Sequence, residues 1–139
     1  HDVACHRGSE NDVLTRFTDI VRARDPDIVL RLTADCPMLD PEVCGQVLAL
    51  LRLSGADYAT NTDPRRWPDG LDCEAICVDA LLDADRTVTS PDDREHVLQF
   101  VRHAQFTPPR LLALGFRLQK DPRAVLQLAR QVIVKTFDA

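Results

Sequence analysis

The sequence lacks the features that mark membrane-spanning and nucleic-acid-binding proteins. No apolar run approaches the roughly 20 residues that a membrane-spanning helix needs. No basic cluster is present either, since 17 lysines and arginines stand against 22 acidic residues, which gives a formal net charge of −5. Proteins that bind a phosphate backbone concentrate positive charge on one face. We therefore expect neither a membrane protein nor a nucleic-acid-binding protein.

Glycine is also scarce, with 5 residues in 139. Loops that cradle a phosphate with consecutive backbone N–H groups depend on glycine, and none of the five lies in such a loop. What is present is ordinary for a globular protein: 45% hydrophobic and 28% charged residues. The length is sufficient for one domain with a buried core, and we assign residues 1–139 to it.

The five cysteines include no Cys-x-x-Cys pair. A zinc site built from Cys5, His6, Cys73 and Cys77 is an alternative, but these spacings fit no zinc template. Free cysteines that pack as small hydrophobic residues are favoured. Because no secretory segment precedes them, the sequence predicts reduced thiols in a cytoplasmic protein.

An apolar run from Ile28 to Leu32 ends in a loop that carries Asp35. The run is short, rich in branched residues and bounded by prolines, which predicts a buried parallel strand. In open α/β sheets, ligands bind beyond the carboxyl ends of such strands, where Asp35 would lie. Alternatively, Asp35 only forms a turn before Pro37.

Helical and strand patterns alternate along the chain, which is typical of a parallel α/β sheet. Ser9 is expected to cap a first helix that ends before Pro26, and Asp40 with Pro41 to open a second that ends at Ser54-Gly55. The inward faces of these two helices are expected to be Val13, Phe17, Ile20 and Val21, and Val43, Val47, Leu50 and Leu51. We expect further strands at 57–60, 73–78 and 112–118, and a helix at 79–85. A helix opened by Ser90-Pro91 is expected to face inward with Val97, Val101 and Ala104. A last helix, opened by Asp121, is expected to carry Val125, Leu128, Ala129 and Val132.

The longest loop, residues 61–72, is dense in proline, aspartate and arginine. Long loops in compact domains are often functional. A hairpin-like turn with solvated acids around Pro68 is the alternative. In the strand that follows, the alternation of side chains places Asp72 and Glu74 on one face and Cys73, Ala75 and Cys77 on the other.

Four strings in this order resemble motifs of the sugar cytidylyltransferases, specifically the spore-coat polysaccharide branch related to acylneuraminate and deoxy-octulosonate cytidylyltransferases. They are RGSENDVL at 7–14, RLTADCPMLDP at 31–41, WPDGLDCE at 67–74 and DREHV at 93–97. Their joint occurrence is far more specific than any one of them. The resemblance is good over residues 7 to 102 and weak in the tail.

The resemblance implies a Rossmann-like three-layer α/β/α fold of the nucleotide-diphospho-sugar transferases, and formation of a CMP-sugar from CTP with Mg²⁺. Asp35 is the candidate catalytic residue and metal ligand, because Mg²⁺ takes one or two protein carboxylates plus phosphate oxygens. The family's second metal-binding aspartate falls at Asp121, which is otherwise a helix cap. Candidate substrate-binding residues are Arg31, Thr33, Arg65, Arg66, Asp69, Asp72, Glu74, Glu95 and His96. For His96 the alternative is an exposed or capping histidine.

An acidic sugar is the expected substrate, because Arg65 or Arg66 could pair with its carboxylate. The family's Gly-containing nucleotide loop has no counterpart here. We therefore interpret the chain as the C-terminal two-thirds of a nucleotidyltransferase domain, truncated at the N-terminus and inactive by itself. We expect unpaired strand edges at a short strand near Val3 and at Ile28–Leu32, and possible homo-oligomers. The alternatives are a glycosyltransferase of the same fold and a non-catalytic protein that binds sugar or a partner.

Overall fold

A computed structural model of the chain describes residues 4–65, 67–97, 112–113 and 131–136. The helices are α1 (Val13–Arg24), α2 (Pro41–Ser54), α3 (Val78–Thr87) and α4 (Pro91–Glu95). The strands are β1 (Ile28–Thr33), β2 (Tyr58–Thr60), β3 (Glu74–Cys77), β4 (Leu112–Ala113) and β5 (Gln131–Thr136). Within these described ranges, no helix is long and apolar enough to cross a membrane.

The sheet has the strand order β4-β2-β3-β1-β5 and is mixed rather than parallel. Strand β3 runs antiparallel to both of its neighbours, while β1 pairs with β5 and β2 with β4 in parallel. The prediction of an all-parallel sheet is wrong at β3. A loop connects β2 to β3 without a crossover helix, and such a connection returns the chain antiparallel to the strand that it left.

Alternate side chains of the sheet enter two separate cores, which gives the three-layer α/β/α arrangement. One core joins Val29, Tyr58 and Ile76 to the buried faces of α1 and α3. The other joins Leu30 and Ala75 to α2. The predicted inward faces of α1 and α2 are confirmed, with Ile20 and Leu50 only partly buried.

The start of α1 differs from the prediction, whereas both ends of α2 are confirmed. The N-cap of α1 is Asp12, whose carboxylate accepts from the Thr15 N–H, and Ser9 instead accepts from the Asp12 N–H. Ser9 and Asp12 are both residue types that can accept a hydrogen bond from a free N–H group in the first turn of a helix, and here Asp12, the later of the two, is the cap. Helix α2 is capped by Asp40 and ends at Gly55, whose φ of 64° is in the left-handed region that glycine adopts without strain.

The second half of the chain departs further from the predicted elements. Helix α4 ends at Glu95, so Val97 is buried without being part of that helix. Val132 lies in strand β5 rather than in a final helix. The β-branched run 132–134 explains this, because such residues favour strands. The predicted positions Val101, Ala104, Leu118, Asp121, Val125, Leu128 and Ala129 lie outside the described residues.

The edge of β1 that was expected to be unpaired is occupied by β5, while Val3 lies outside the described residues. The two strands pair in parallel over the whole length of β1, from Ile28 opposite Gln131 to Thr33 opposite Thr136. Strand β1 is therefore an interior strand, with β3 on its other side.

Candidate functional site

A polar cavity of about 280 Å³ opens where β1 ends and β3 begins. It is lined by Arg31, Thr33, Thr62, Arg65, Asp72, Glu74 and His96. Six of these are predicted site residues; Thr62 is the addition. The structure thus brings together three separate family strings, from β1, the 61–73 loop and the end of α4.

Arg31 and Glu74 form a cross-strand ion pair at one wall of the cavity. They are register partners on β1 and β3, and the Arg31 Nη1 lies 2.5 Å from the Glu74 Oε2. The other Glu74 oxygen accepts a 2.6 Å hydrogen bond from the Tyr58 hydroxyl. Because the Glu74 side chain is only 9% exposed, the two bonds give a buried carboxylate the partners it requires. Glu74 is thereby held in one orientation.

Arg65 and Asp72 form a second pair, which is bidentate. The two guanidinium nitrogens lie 2.8 and 2.9 Å from the two carboxylate oxygens of Asp72. Asp69, which is 91% exposed and does not line the cavity, adds a 2.9 Å contact to Arg65. The hydrogen bonds and charge of Asp72, with the charge of Asp69, raise the pKa of Arg65. Planar two-point pairing fixes both side chains in direction as well as distance.

Asp35 lies in an exposed turn immediately after β1, two residues beyond the cavity residue Thr33. A backbone bond from the Cys36 N–H to the Thr33 carbonyl closes this turn. Hydrogen bonding from the Thr33 hydroxyl, followed by smaller contributions from the backbone, Cys36 and the positive charge of Arg31, lowers the pKa of Asp35. Asp35 is therefore an ionised, accessible carboxylate, although it does not line the cavity itself.

No group of three or more potential metal-ligating side chains occurs in the part of the chain that the structure describes. Asp35 offers one protein carboxylate, and Mg²⁺ beside nucleotides commonly takes one or two carboxylates and completes its shell with phosphate and water. Cys5 is exposed and distinct in burial from Cys73, and the described cysteines are free thiols.

The loop after β1 and the 61–72 loop contact each other at Gly70. This glycine has a φ of 92°, and a Cβ built there would lie 3.6 Å from the Met38 Cγ and 3.8 Å from the Pro37 Cδ. The two family strings that flank the cavity therefore pack together, which places Asp35 and the Arg65–Asp72 pair on neighbouring loops.

His96 lines the cavity from the C-cap of α4, where its backbone N–H donates to the Asp92 carbonyl. Its Nε2 lies 3.7 Å from an oxygen of the Asp92 carboxylate. His96 is therefore both a residue of the cavity wall and the C-cap of α4, so each of the two alternatives for His96 is met in part. Glu95 is exposed and does not line the cavity. Arg66 and Asp121 lie outside the described residues.

Arg94, in the same family string, has a structural role that was not predicted from the sequence. Its guanidinium donates to the carboxylates of Asp12 and Asp85, at 2.8 Å each, and to the Thr15 hydroxyl. It also donates to the carbonyls of Asp85 and Val88. Arg94 thus joins α1, α3 and α4 rather than facing the cavity. The only sign of this role in the sequence is a single arginine among acidic residues. Its partners could not be identified from that sign, because they lie up to 82 positions away along the chain.

Asn61 was missed as well. It is a buried polar residue at the start of the longest loop, and its carboxamide bonds to backbone groups at the loop's far end. An asparagine placed directly after a strand is a weak signal, because such residues are common in turns.

Comparison with known proteins places this geometry in context. The family model described as Cytidylyltransferase matches residues 1–112. The spore coat polysaccharide biosynthesis protein SpsF of Bacillus subtilis is 32% identical over 126 residues, which cover 84% of this chain and 51% of that protein. An uncharacterised protein of Methanocaldococcus jannaschii is 30% identical over 95 residues, which cover 68% and 38% of the two chains.

A solved cytidylyltransferase from Leptospira borgpetersenii has a similar structure, with a TM-score of 0.65 and 31% sequence identity. The match covers 68% of this chain and 41% of that one. The chain therefore spans about half, or less, of the length of the relatives that it matches.

Proposed function

The chain belongs to the cytidylyltransferase family, and from this membership we propose that the protein activates a sugar as its CMP-sugar, for the synthesis of a surface polysaccharide or glycan. The observation that carries the proposal is the cavity, in which Arg31 from β1, Arg65 from the long loop, and Asp72 and Glu74 from the family string at 67–74 converge. Two arginine–carboxylate pairs surrounded by threonine hydroxyls offer both donors and acceptors, as sugar hydroxyls require.

The proposed reaction is attack of a sugar hydroxyl oxygen on the α-phosphorus of CTP. A new P–O bond forms to the sugar oxygen as its hydroxyl proton is lost to solvent, the bond to the β-phosphate oxygen breaks, and pyrophosphate leaves. Such transfers depend mainly on positioning and on neutralising the phosphate charge. Asp35 is the residue that would hold Mg²⁺, and the ion would supply part of that neutralisation.

We propose an acidic sugar as the substrate, supported by the arginines at 65 and 66. Arg65 lies at the cavity with its charge fixed, because the adjacent carboxylates raise its pKa. A sugar carboxylate would bind beside this guanidinium, and hydroxyls of the same sugar would donate to Asp72. Of the two arginines, Arg66 is outside the described residues.

Pyrophosphate release from CTP tests the proposal. The full-length protein would be supplied with CTP, Mg²⁺ and a panel of sugars, with acidic sugars compared with their neutral counterparts. Release that requires both CTP and one acidic sugar is the expected result. Release with a neutral sugar only would refute the acidic class but not the reaction.

Two other outcomes would contradict the reaction. Consumption of a preformed nucleotide-sugar with no use of CTP would identify a glycosyltransferase. Sugar binding by calorimetry without turnover of CTP would identify a non-catalytic binding protein.

A further inference from the structure

Asn61 closes the base of the long loop with its side chain. It follows β2 directly and is only 3% exposed. Its Nδ2 donates to the Leu71 carbonyl at 2.8 Å, and its Oδ1 accepts from the Cys73 N–H at 2.9 Å. The carboxamide therefore uses both a donor and an acceptor on the opposite side of the loop.

These two bonds fall on either side of one residue, Asp72. The Leu71 carbonyl belongs to the peptide group before Asp72, and the Cys73 N–H to the peptide group after it. With both peptide groups held, rotation of the backbone at Asp72 is restricted, so its Cα–Cβ bond has a fixed direction. Asp72 in turn holds the guanidinium of Arg65 through two bonds.

Thr60 strengthens the same closure and extends it to the cavity residue Thr62. The Thr60 hydroxyl accepts from the Thr62 N–H at 3.1 Å and lies 2.9 Å from the Thr62 hydroxyl. It also donates to the Cys73 carbonyl at 3.3 Å. Two buried side chains thus add to the backbone bond from the Asn61 N–H to the Cys73 carbonyl where β2 and β3 diverge into the loop.

We propose that Asn61 is a positioning residue for sugar recognition, which acts by fixing the Arg65–Asp72 pair at the cavity wall. This rests on the proposed function of the cavity. Asn61 itself does not line the cavity and does not touch the substrate. Its contribution is that the pair is held in place before the sugar arrives, and misplacement of a binding group by about 1 Å is enough to reduce rates by about 10²-fold.

The test compares Asn61→Ala and Asn61→Asp with the matched control Asn11→Ala, which changes an exposed asparagine ahead of α1. Asn61→Asp keeps the acceptor for the Cys73 N–H but loses the donor to the Leu71 carbonyl. The variants would be made in the full-length protein. We expect the KM for the sugar to rise about tenfold in both Asn61 variants, with kcat and the KM for CTP close to wild type. Asn11→Ala should leave all three constants unchanged.

A double mutant separates positioning from a general loss of stability. If Asn61 acts through Asp72, adding Asn61→Ala to Asp72→Asn should raise the sugar KM little further, because the two residues share one path. If Asn61 only stabilises the fold, its effect would multiply with that of Asp72→Asn, and the KM values for sugar and CTP would rise together. That second pattern would overturn the proposal.

Amide hydrogen exchange gives a readout that needs no turnover. We expect faster exchange in Asn61→Ala over residues 61–73, with α1 and α2 as protected as in the wild type. Unchanged exchange in the loop would overturn the proposal even if activity fell. If the wild-type protein uses no CTP, the proposed function fails, and loop exchange alone then decides whether Asn61 fixes the cavity wall.

Discussion

Asp35 is the residue on which the proposed phosphate chemistry depends, and its setting suits a ligand rather than a structural role. Its side chain is exposed in a turn and is kept ionised by the hydrogen bonds that lower its pKa. No packing would be lost by replacing one carboxylate oxygen with an amide. The role of Asp35 can therefore be tested without disturbing the fold.

We predict that Asp35→Asn leaves the unfolding midpoint unchanged but reduces Mg²⁺-dependent pyrophosphate release by about 10²–10³-fold or more. The full-length protein would be used, with CTP turnover measured against Mg²⁺ concentration. Asp27→Asn is the matched control, because Asp27 is exposed just before the other end of β1. Equal turnover in wild type and Asp35→Asn would show that Asp35 is not the proposed Mg²⁺ ligand. Asp121→Asn should be much milder than Asp35→Asn.

Glu74 has a different character, because both of its oxygens are bonded to protein groups. We predict that Glu74→Gln lowers the free energy of unfolding by about 3 kcal/mol, since the amide leaves the largely buried charge of Arg31 without its partner. Urea denaturation would measure the change. Tyr58→Phe, which removes only one hydrogen bond, should cost about 1–2 kcal/mol.

Glu42→Gln is the control for the Glu74 variant, because Glu42 is an exposed acid in the first turn of α2. Its loss should cost no more than about 0.3–1 kcal/mol, through the helix dipole. A similar loss in Glu74→Gln and Glu42→Gln would show that the Arg31–Glu74 pair contributes little to stability.

At the scale of elements, three helices depend on one arginine. Helix α4 is five residues long and buries none of its own residues, so its own apolar packing contributes little to its position. Arg94 connects it to α1 and α3 through five hydrogen bonds. Because His96 is the C-cap of α4, these bonds also determine where that side of the cavity lies.

The acidic partners of Arg94 make this connection sensitive to pH. Burial is the largest single influence and acts to raise the pKa of Asp12 and of Asp85. The hydrogen bonds and charge of Arg94, together with hydrogen bonds from Thr15 to Asp12 and from Arg22 to Asp85, outweigh it, so the pKa of each carboxyl is lowered. A carboxylate whose pKa is lower in the folded than in the unfolded state stabilises the fold at pH values above the unfolded pKa. That stabilisation is lost as the pH falls from about 4 towards the folded pKa values.

We predict that Arg94→Gln lowers the free energy of unfolding by about 3 kcal/mol at pH 6, and that the difference from wild type shrinks at pH 3. Urea denaturation at the two pH values would measure it. Arg86→Gln is the control, because Arg86 pairs with Asp83 in an exposed position on α3, where ion pairs contribute little. A difference that is the same at pH 6 and pH 3 would contradict the assigned role of Asp12 and Asp85.

For the whole molecule, the parallel pairing of β5 with β1 makes β1 an interior strand and β5 an edge strand of the sheet. Without β5, the interior strand β1 would present a row of unpaired backbone groups, and such an edge promotes association with other chains. Homo-oligomer formation in the native protein stays a prediction.

We predict that Ile133→Pro lowers the unfolding midpoint and causes association that grows with protein concentration, because proline cannot donate to a strand ladder. Ile133 is the register partner of Leu30. Calorimetry and light scattering would measure the two effects. Ile133→Val, which retains a β-branched residue, should show neither. A monomeric Ile133→Pro variant with wild-type stability would show that β5 is not needed to cover β1.

The sequence by itself determined the features that depend on near neighbours. The caps of α2, the buried faces of α1 and α2 and the end of β1 before Asp35 follow from residues a few positions apart. Five of the seven cavity residues could be identified because they belong to family strings, and Arg65 could be identified because it lies in the arginine-rich long loop. Short-range chemistry specifies such features wherever the segment lies.

Only the tertiary structure decided which of these residues meet, and in what pairs. Arg31 and Glu74 are 43 positions apart, and their pairing depends on the register of two antiparallel strands. Arg65 and Asp72 were predicted as separate substrate-binding residues, whereas the loop folds them into one bidentate pair. Asn61 and Arg94 were missed for the same reason, because the sequence around a polar residue does not identify partners that are distant along the chain. Register and packing over the whole chain select those partners.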